Sequence, residues 1–139
     1  MIQVRYAGFW RRLGATVLDG LLLLLIVRPV LIAIYGPVYL DSPFWQPVGI
    51  WDALLSYALP ALAMVLYWRA YQATPGKMVW SVRIVDADTG APPSMRQLLL
   101  RGCGYVLSAL PLGLGFLWIG IDRKKQGWHD KLANTMVIR

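Results

Sequence analysis

Asp19 is a carboxylate inside an apolar run, Leu13–Ile34, whose 22 residues hold one other charge, Arg28. Carrying such a group to the centre of a bilayer costs about 2.5–3.5 kcal/mol on insertion scales. It must be protonated, paired or facing water. As a functional group it would take up and release a proton or a cation. As a structural group it would clamp two helices together. The residues alone leave both readings open.

Arg12 precedes Asp19 by seven residues, nearly the same face of a helix and about 10 Å along its axis. That is long for a direct ion pair unless both side chains reach inward, and an arginine at this position also snorkels to lipid phosphates. A shared third partner is the other solution, and His129-Asp130 in the tail is the pair to expect. His129 is the sole histidine. Its ring titrates where proton shuttling needs it, although a histidine next to an aspartate more often caps or packs. Arg28 lies nine residues beyond Asp19, on the opposite face, and Asp52 opens the next apolar run. Antiparallel helices would bring these two to one depth as a structural ion pair.

Other chemistries are excluded by what is missing. Cys103 is the only cysteine and sits in an apolar segment, so neither an intrachain disulfide nor a metal cluster is expected. Thr74-Pro75-Gly76-Lys77 lacks the rest of a phosphate-binding loop, and the Gly-Leu-Gly at 113–115 lacks the third glycine of a dinucleotide site. No nucleophile–base pair stands out. The sequence predicts no enzyme, no cofactor and no metal.

The elements that must position these residues are membrane helices. Apolar residues make up 58% of the 139-residue chain and charged residues 15%, against about 25% charged in soluble domains. All seven acidic residues are aspartates, and the net charge is +7. The basic residues gather at the ends of apolar runs and form no stripe interleaved with aromatics, which argues against nucleic acid as a partner. Leu13–Ile34 would span about 33 Å as a helix, enough for a hydrocarbon core of about 30 Å. Its length and its aspartate make it a permanent anchor and not a signal peptide. Residues 36–48 read as a short loop with aromatics. Gly49–Trp68 is a second span, kinked by Pro60, which neighbouring groups can accommodate in a membrane helix. Between 69 and 97, alternating apolar positions from Met78 to Val85 read as a short interfacial strand that Thr135–Ile138 could pair with. The third run, Leu98–Ile121, is long enough for one span but is broken by the sequence SALPLGLG.

Lysine and arginine are asymmetric across these elements. Three precede the first span, none lies in the first loop, four lie in the second and five in the tail. The positive-inside rule then places the amino terminus, residues 69–97 and the tail in the cytoplasm. Three plain spans would send the basic tail outward. A re-entrant hairpin turning at Leu110–Gly115 repairs the parity and is favoured over a single span. Tyr and Trp flank the runs at both ends, as interfacial aromatics do.

Three segments, YAGFWRRLGATVLD, ATPGKMVWSVRIVD and GWHDKLANTMVI, in this order resemble the RDD family of bacterial membrane proteins. The family is named for one arginine and two aspartates. Its arginine and first aspartate match Arg12 and Asp19; its second matches Asp130 or, alternatively, Asp86. The resemblance implies a single membrane domain over 1–139, with helices near 13–34, 49–68 and 98–121, in the plasma membrane of a bacterium. It also implies a transport role, cation–proton exchange having been reported for some members. The expected fold is all-α, a small bundle of two full spans, the third apolar segment and a small cytoplasmic β-element. The leading functional expectation is an exchanger of cations or protons in which Asp19 titrates and Arg12, Asp130 and His129 tune it. The alternative is an accessory protein that binds a partner membrane protein, or a second copy, through its helices.

Overall fold

The first span begins four residues ahead of its apolar run, because Phe9 to Arg12 wind into its opening turn. The structure, a computed structural model, describes residues 3–139. Helix α1 covers Phe9–Tyr35, 27 residues, or about 40 Å. It ends at Gly36, whose φ of 66° is left-handed and whose N–H donates to the Ile32 carbonyl at 2.8 Å. Only Arg12, Ala15 and Leu31 are buried along it. Residues 21–26 are exposed leucines and an isoleucine, a surface suited to hydrocarbon. A short helix, α2 (Pro37–Asp41), follows inside the segment expected as loop.

The second span runs as α3 (Ile50–Ala53), a π-helical turn over Leu54–Ala58, and α4 (Leu59–Tyr71). Pro60 has no N–H to give to the preceding turn, and the wide turn just ahead of it is where the backbone absorbs that loss. The most apolar 18-residue window of each span is 6% buried by the rest of the chain. Both are long and apolar enough to cross a membrane.

The remaining residues fold into a module at one end of the two spans. Helix α5 (Pro75–Val79) occupies part of the expected strand. The reason is local: Thr74 caps it, its hydroxyl accepting from the Lys77 N–H at 3.4 Å, and Pro75 supplies the fixed φ of a first helical residue. The strand proper, β1, is Arg83–Asp86, and it pairs antiparallel with β2, Thr135–Ile138, from Arg83 opposite Ile138 to Asp86 opposite Thr135. Tyr6 bridges to Ile138, and the Ala7 N–H donates to the Val137 carbonyl at 2.9 Å. The segments at 6–7, 83–86 and 135–138 therefore share one end of the molecule.

Helices α6 (Met95–Ala109) and α7 (Leu114–Ile121) meet at 101°. The corner falls in the Leu110–Gly113 turn, where Leu112 and Gly113 both have positive φ. Residues 98–121 thus form a bent pair, not a straight span. Ser94 and Gln97 close a capping box at the start of α6. One face of α6, carrying Leu98, Arg101, Gly104 and Ser108, is buried, while Leu99, Val106, Leu107 and Leu110 are exposed. The buried face packs against α8 (Trp128–Ala133). Ala7, Trp68, Val82, Ile84, Leu98 and Val137 form the apolar core beneath the sheet.

Candidate functional site

Three elements distant in sequence deliver one carboxylate and two guanidiniums to the middle of the end module. Asp130 enters on the first turn of α8, where its Oδ2 accepts from the Gly127 N–H at 2.9 Å. Arg12, on the first turns of α1, donates from Nη2 to that same oxygen at 2.6 Å and from Nη1 to the Lys125 carbonyl at 2.8 Å. Arg101, from the buried face of α6, pairs through Nη1 with the other oxygen, Oδ1, and reaches Thr135 Oγ1 at 2.9 Å. Asp130 and Arg101 are fully buried. Burial alone would raise the Asp130 carboxyl, but Arg101 and then Arg12 reverse this and hold it far below the usual carboxylate range.

His129 lies alongside. Its Nε2 accepts from Arg12 Nη2 at 2.9 Å, since a guanidinium can only donate. The ring proton therefore belongs on Nδ1, which faces Ser108 Oγ at 3.4 Å. The imidazole stacks on Tyr105 with centroids 4.4 Å apart, and Tyr105 stacks in turn on Trp68 at 5.6 Å. Arg101 lies over both Trp68 and Tyr105, at 5.3 and 5.7 Å from their centroids. Gly104 makes the approach of α6 to α8 possible, because a Cβ there would stand 2.7 Å from His129 Cα.

Burial first, and the Arg101 charge second, lower the His129 pKa from 6.5 to about 2. The imidazole is neutral across the physiological range. Between these two values the unfolded chain binds a proton that the folded chain refuses, so stability is full above pH 6.5 and declines as pH falls toward 2. Thermal melts of purified protein are expected to lose about 1.4 kcal/mol per pH unit below pH 6. His129→Gln, which keeps an acceptor for Arg12, should flatten that decline between pH 7 and 5; an unchanged slope would assign the acid sensitivity elsewhere.

Asp19 belongs to a different cluster. Its Oδ2 accepts from the Thr74 hydroxyl at 2.5 Å and its Oδ1 from the Gly76 N–H at 2.7 Å. It is half-buried and has no cationic partner among the described residues. The structure thus brings Arg12, His129 and Asp130 together and leaves Asp19 about two turns further along α1, holding α1 against the start of α5. Of the two matches to the second family aspartate, Asp130 is the one that meets Arg12. Asp86 instead accepts from the Gln97 side chain at 2.6 Å and from the N–H groups of Asp88 and Thr89.

The expected Arg28–Asp52 pair does not form. Asp52 accepts from the Val48 N–H at 2.9 Å and the Ser56 hydroxyl at 2.7 Å, capping its own helix. Arg28 turns over the ring of Tyr39, 5.9 Å from its centroid. An aspartate near a helix start finds local N–H groups before it finds a charge on a neighbour. Arg101, Lys77, Tyr105, Thr74 and Gly76 were not singled out from the sequence as site residues. Arg101 had a usable signal: it is a charge within an apolar run, as Asp19 is.

The RDD family profile matches residues 6–134 of this chain. The uncharacterized protein YckC of Bacillus subtilis is 32% identical over 136 residues, covering 94% of this chain and 83% of that protein. The uncharacterized protein YxaI of the same organism is 28% identical over 149 residues, covering 95% of this chain and 96% of its own length. The uncharacterized protein RP437 of Rickettsia prowazekii is 35% identical over 75 residues, 54% of this chain and 41% of that protein. No solved structure matches. With a family match over nearly the whole chain, and with apolar helices long enough to span a bilayer, this is a membrane protein that belongs to the RDD family.

Proposed function

We propose that the protein is a non-enzymatic assembly element of the bacterial plasma membrane, whose two spans dock against a further transmembrane helix, in the first place one from a second copy. The observation that carries this reading is the cleft between the spans. It measures about 580 Å³ and is walled on α1 by Leu22, Leu23 and Ile26, and on α4 by Pro60, Ala61 and Ala63. Small residues on α4 let another helix approach closely. The end module would set the spacing of the spans, with its polar groups held by one another. The basic residues of the amino terminus, residues 69–97 and tail, which share one end of the fold, support a cytoplasmic location for that end.

A second reading, cation–proton exchange at Asp19, is favoured by one observation. Asp19 borders the same cleft and, among the described residues, pairs with no cation. Asp19→Asn separates the two. In the assembly reading the variant inserts, self-associates as wild type does and loses about 1 kcal/mol of stability, since an amide still accepts from Thr74 or Gly76. Proteoliposomes of either protein then show no proton movement when a sodium gradient is imposed. Sodium-driven proton movement in wild type that vanishes in Asp19→Asn would replace assembly with exchange.

A further inference from the structure

Lys77 is buried, yet no carboxylate reaches it among the described residues. Its Nζ has the Tyr105 hydroxyl at 3.5 Å and the face of Trp68 at 5.5 Å from the centroid. Arg12 and Arg101 stand in the same cluster and keep their charge at any accessible pH. Among the described residues one carboxylate, Asp130, pairs with these cations. The buried cluster is therefore positive even if Lys77 gives up its proton, and buried charge without a counter-ion is unfavourable. Arg101 also keeps Nε and Nη2 without a hydrogen-bond acceptor.

Beside this surplus lies a cavity of about 380 Å³. Its lining includes Arg12, Lys77 and His129 together with Leu13, Leu112 and Leu117. Those three leucines are exposed, Leu112 almost completely. The volume falls within the range of small-molecule sites. A mostly apolar cavity that reaches exposed leucines and also takes in the Arg12 and Lys77 cations is complementary to an amphiphile with an anionic head.

We infer that this cavity binds the anionic headgroup of an amphiphile, a phosphate or carboxylate held by Lys77 and Arg12, with an acyl chain leaving along Leu13, Leu112 and Leu117. Charge-assisted bonds to an anion would give Lys77 the counter-charge that its Tyr105 and Trp68 contacts do not supply. This inference does not depend on the assembly reading, because it concerns the end module and not the cleft between the spans.

The test is a binding titration followed by tryptophan fluorescence, Trp68 lying against Lys77. Delipidated protein in non-ionic detergent is titrated with short-chain phosphatidylglycerol, with the matching phosphatidylcholine, and with inorganic phosphate. Phosphatidylglycerol is expected to bind about tenfold or more tighter than phosphatidylcholine, and inorganic phosphate far more weakly. Lys77→Met should lose that preference, and Lys77→Arg should keep it. Inorganic phosphate binding as tightly as phosphatidylglycerol would support the anion site and overturn the part played by the chain. Native mass spectrometry of wild type gives a readout free of folding effects, with one retained phosphatidylglycerol expected. Absence of a preference in wild type, or its survival in a folded Lys77→Met, overturns the site.

Discussion

Asp130→Ala is expected to lower stability by about 3–5 kcal/mol, the largest loss from any single change in the charged cluster. The carboxylate is fully buried between Arg12 and Arg101, and it also accepts the Gly127 N–H at the start of α8. Removing it leaves two permanent positive charges facing each other with no anion between them. Neither guanidinium can shed its proton to escape. The outcome should be loss of the α8 and β2 packing, seen as a lowered melting temperature in detergent and as early cleavage of the tail under limited proteolysis. Asp122→Ala is the control. Its partner Lys131, 2.9 Å away, is substantially exposed, and the Asp122 carboxylate also accepts from the Lys124 and Gln126 N–H groups, so its removal should cost about 1–2 kcal/mol, well below the loss at Asp130. Equal losses in the two variants would mean that the buried cluster does not hold the tail.

Gly76→Ala is expected to cost about 3 kcal/mol or more, at the upper end of what one added methyl does in a packed site. A Cβ on residue 76 would run into the Ala15 carbonyl oxygen and come within 3.0 Å of Asp19 Cγ. The obstacle is helix backbone, which cannot rotate away as a side chain would. Helix α5 would have to lift from α1, breaking the bonds from Thr74 and Gly76 to Asp19. Gly20→Ala, on the same helix as Asp19, meets nothing within 4 Å and should be neutral or slightly stabilising, since alanine is the better helix former. Reduced yield of monodisperse protein in Gly76→Ala but not in Gly20→Ala is the outcome to look for.

The two spans were legible because length and apolar content suffice to define them. The break in the third run was legible too, since a proline and two glycines in five residues leave a helix little choice. The chain segments that pair as strands could be matched by their β-branched residues. The extension of the first strand back to Met78 failed, because Thr74-Pro75 starts a helix and such capping outweighs alternation over so few residues. The partner of Arg12 was reachable because the tail pair His129-Asp130 offers a carboxylate at the same end as Arg12, whereas the partner of Asp19 was not. Asp19 meets a backbone N–H and a hydroxyl, groups present almost everywhere in a sequence and so without a signal in it. Arg101 carries a signal, a charge within an apolar run, but its role is not legible from it. Read as part of a span it is an anomaly, and only the corner at Leu110–Gly113 shows that α6 has a buried polar face.

Arg12 and Asp130 act as one clasp between the first span and the tail. A double-mutant cycle measures it most directly, using thermal unfolding in detergent of wild type, Arg12→Ala, Asp130→Ala and the double variant. Each single change leaves a buried charge or acceptor without its partner, so each should be costly, and the double variant should cost less than their sum. The expected coupling is about 2 kcal/mol, within the range measured for groups in direct contact. Additivity of the two losses to within about 0.5 kcal/mol would contradict the clasp and separate the first span from the tail.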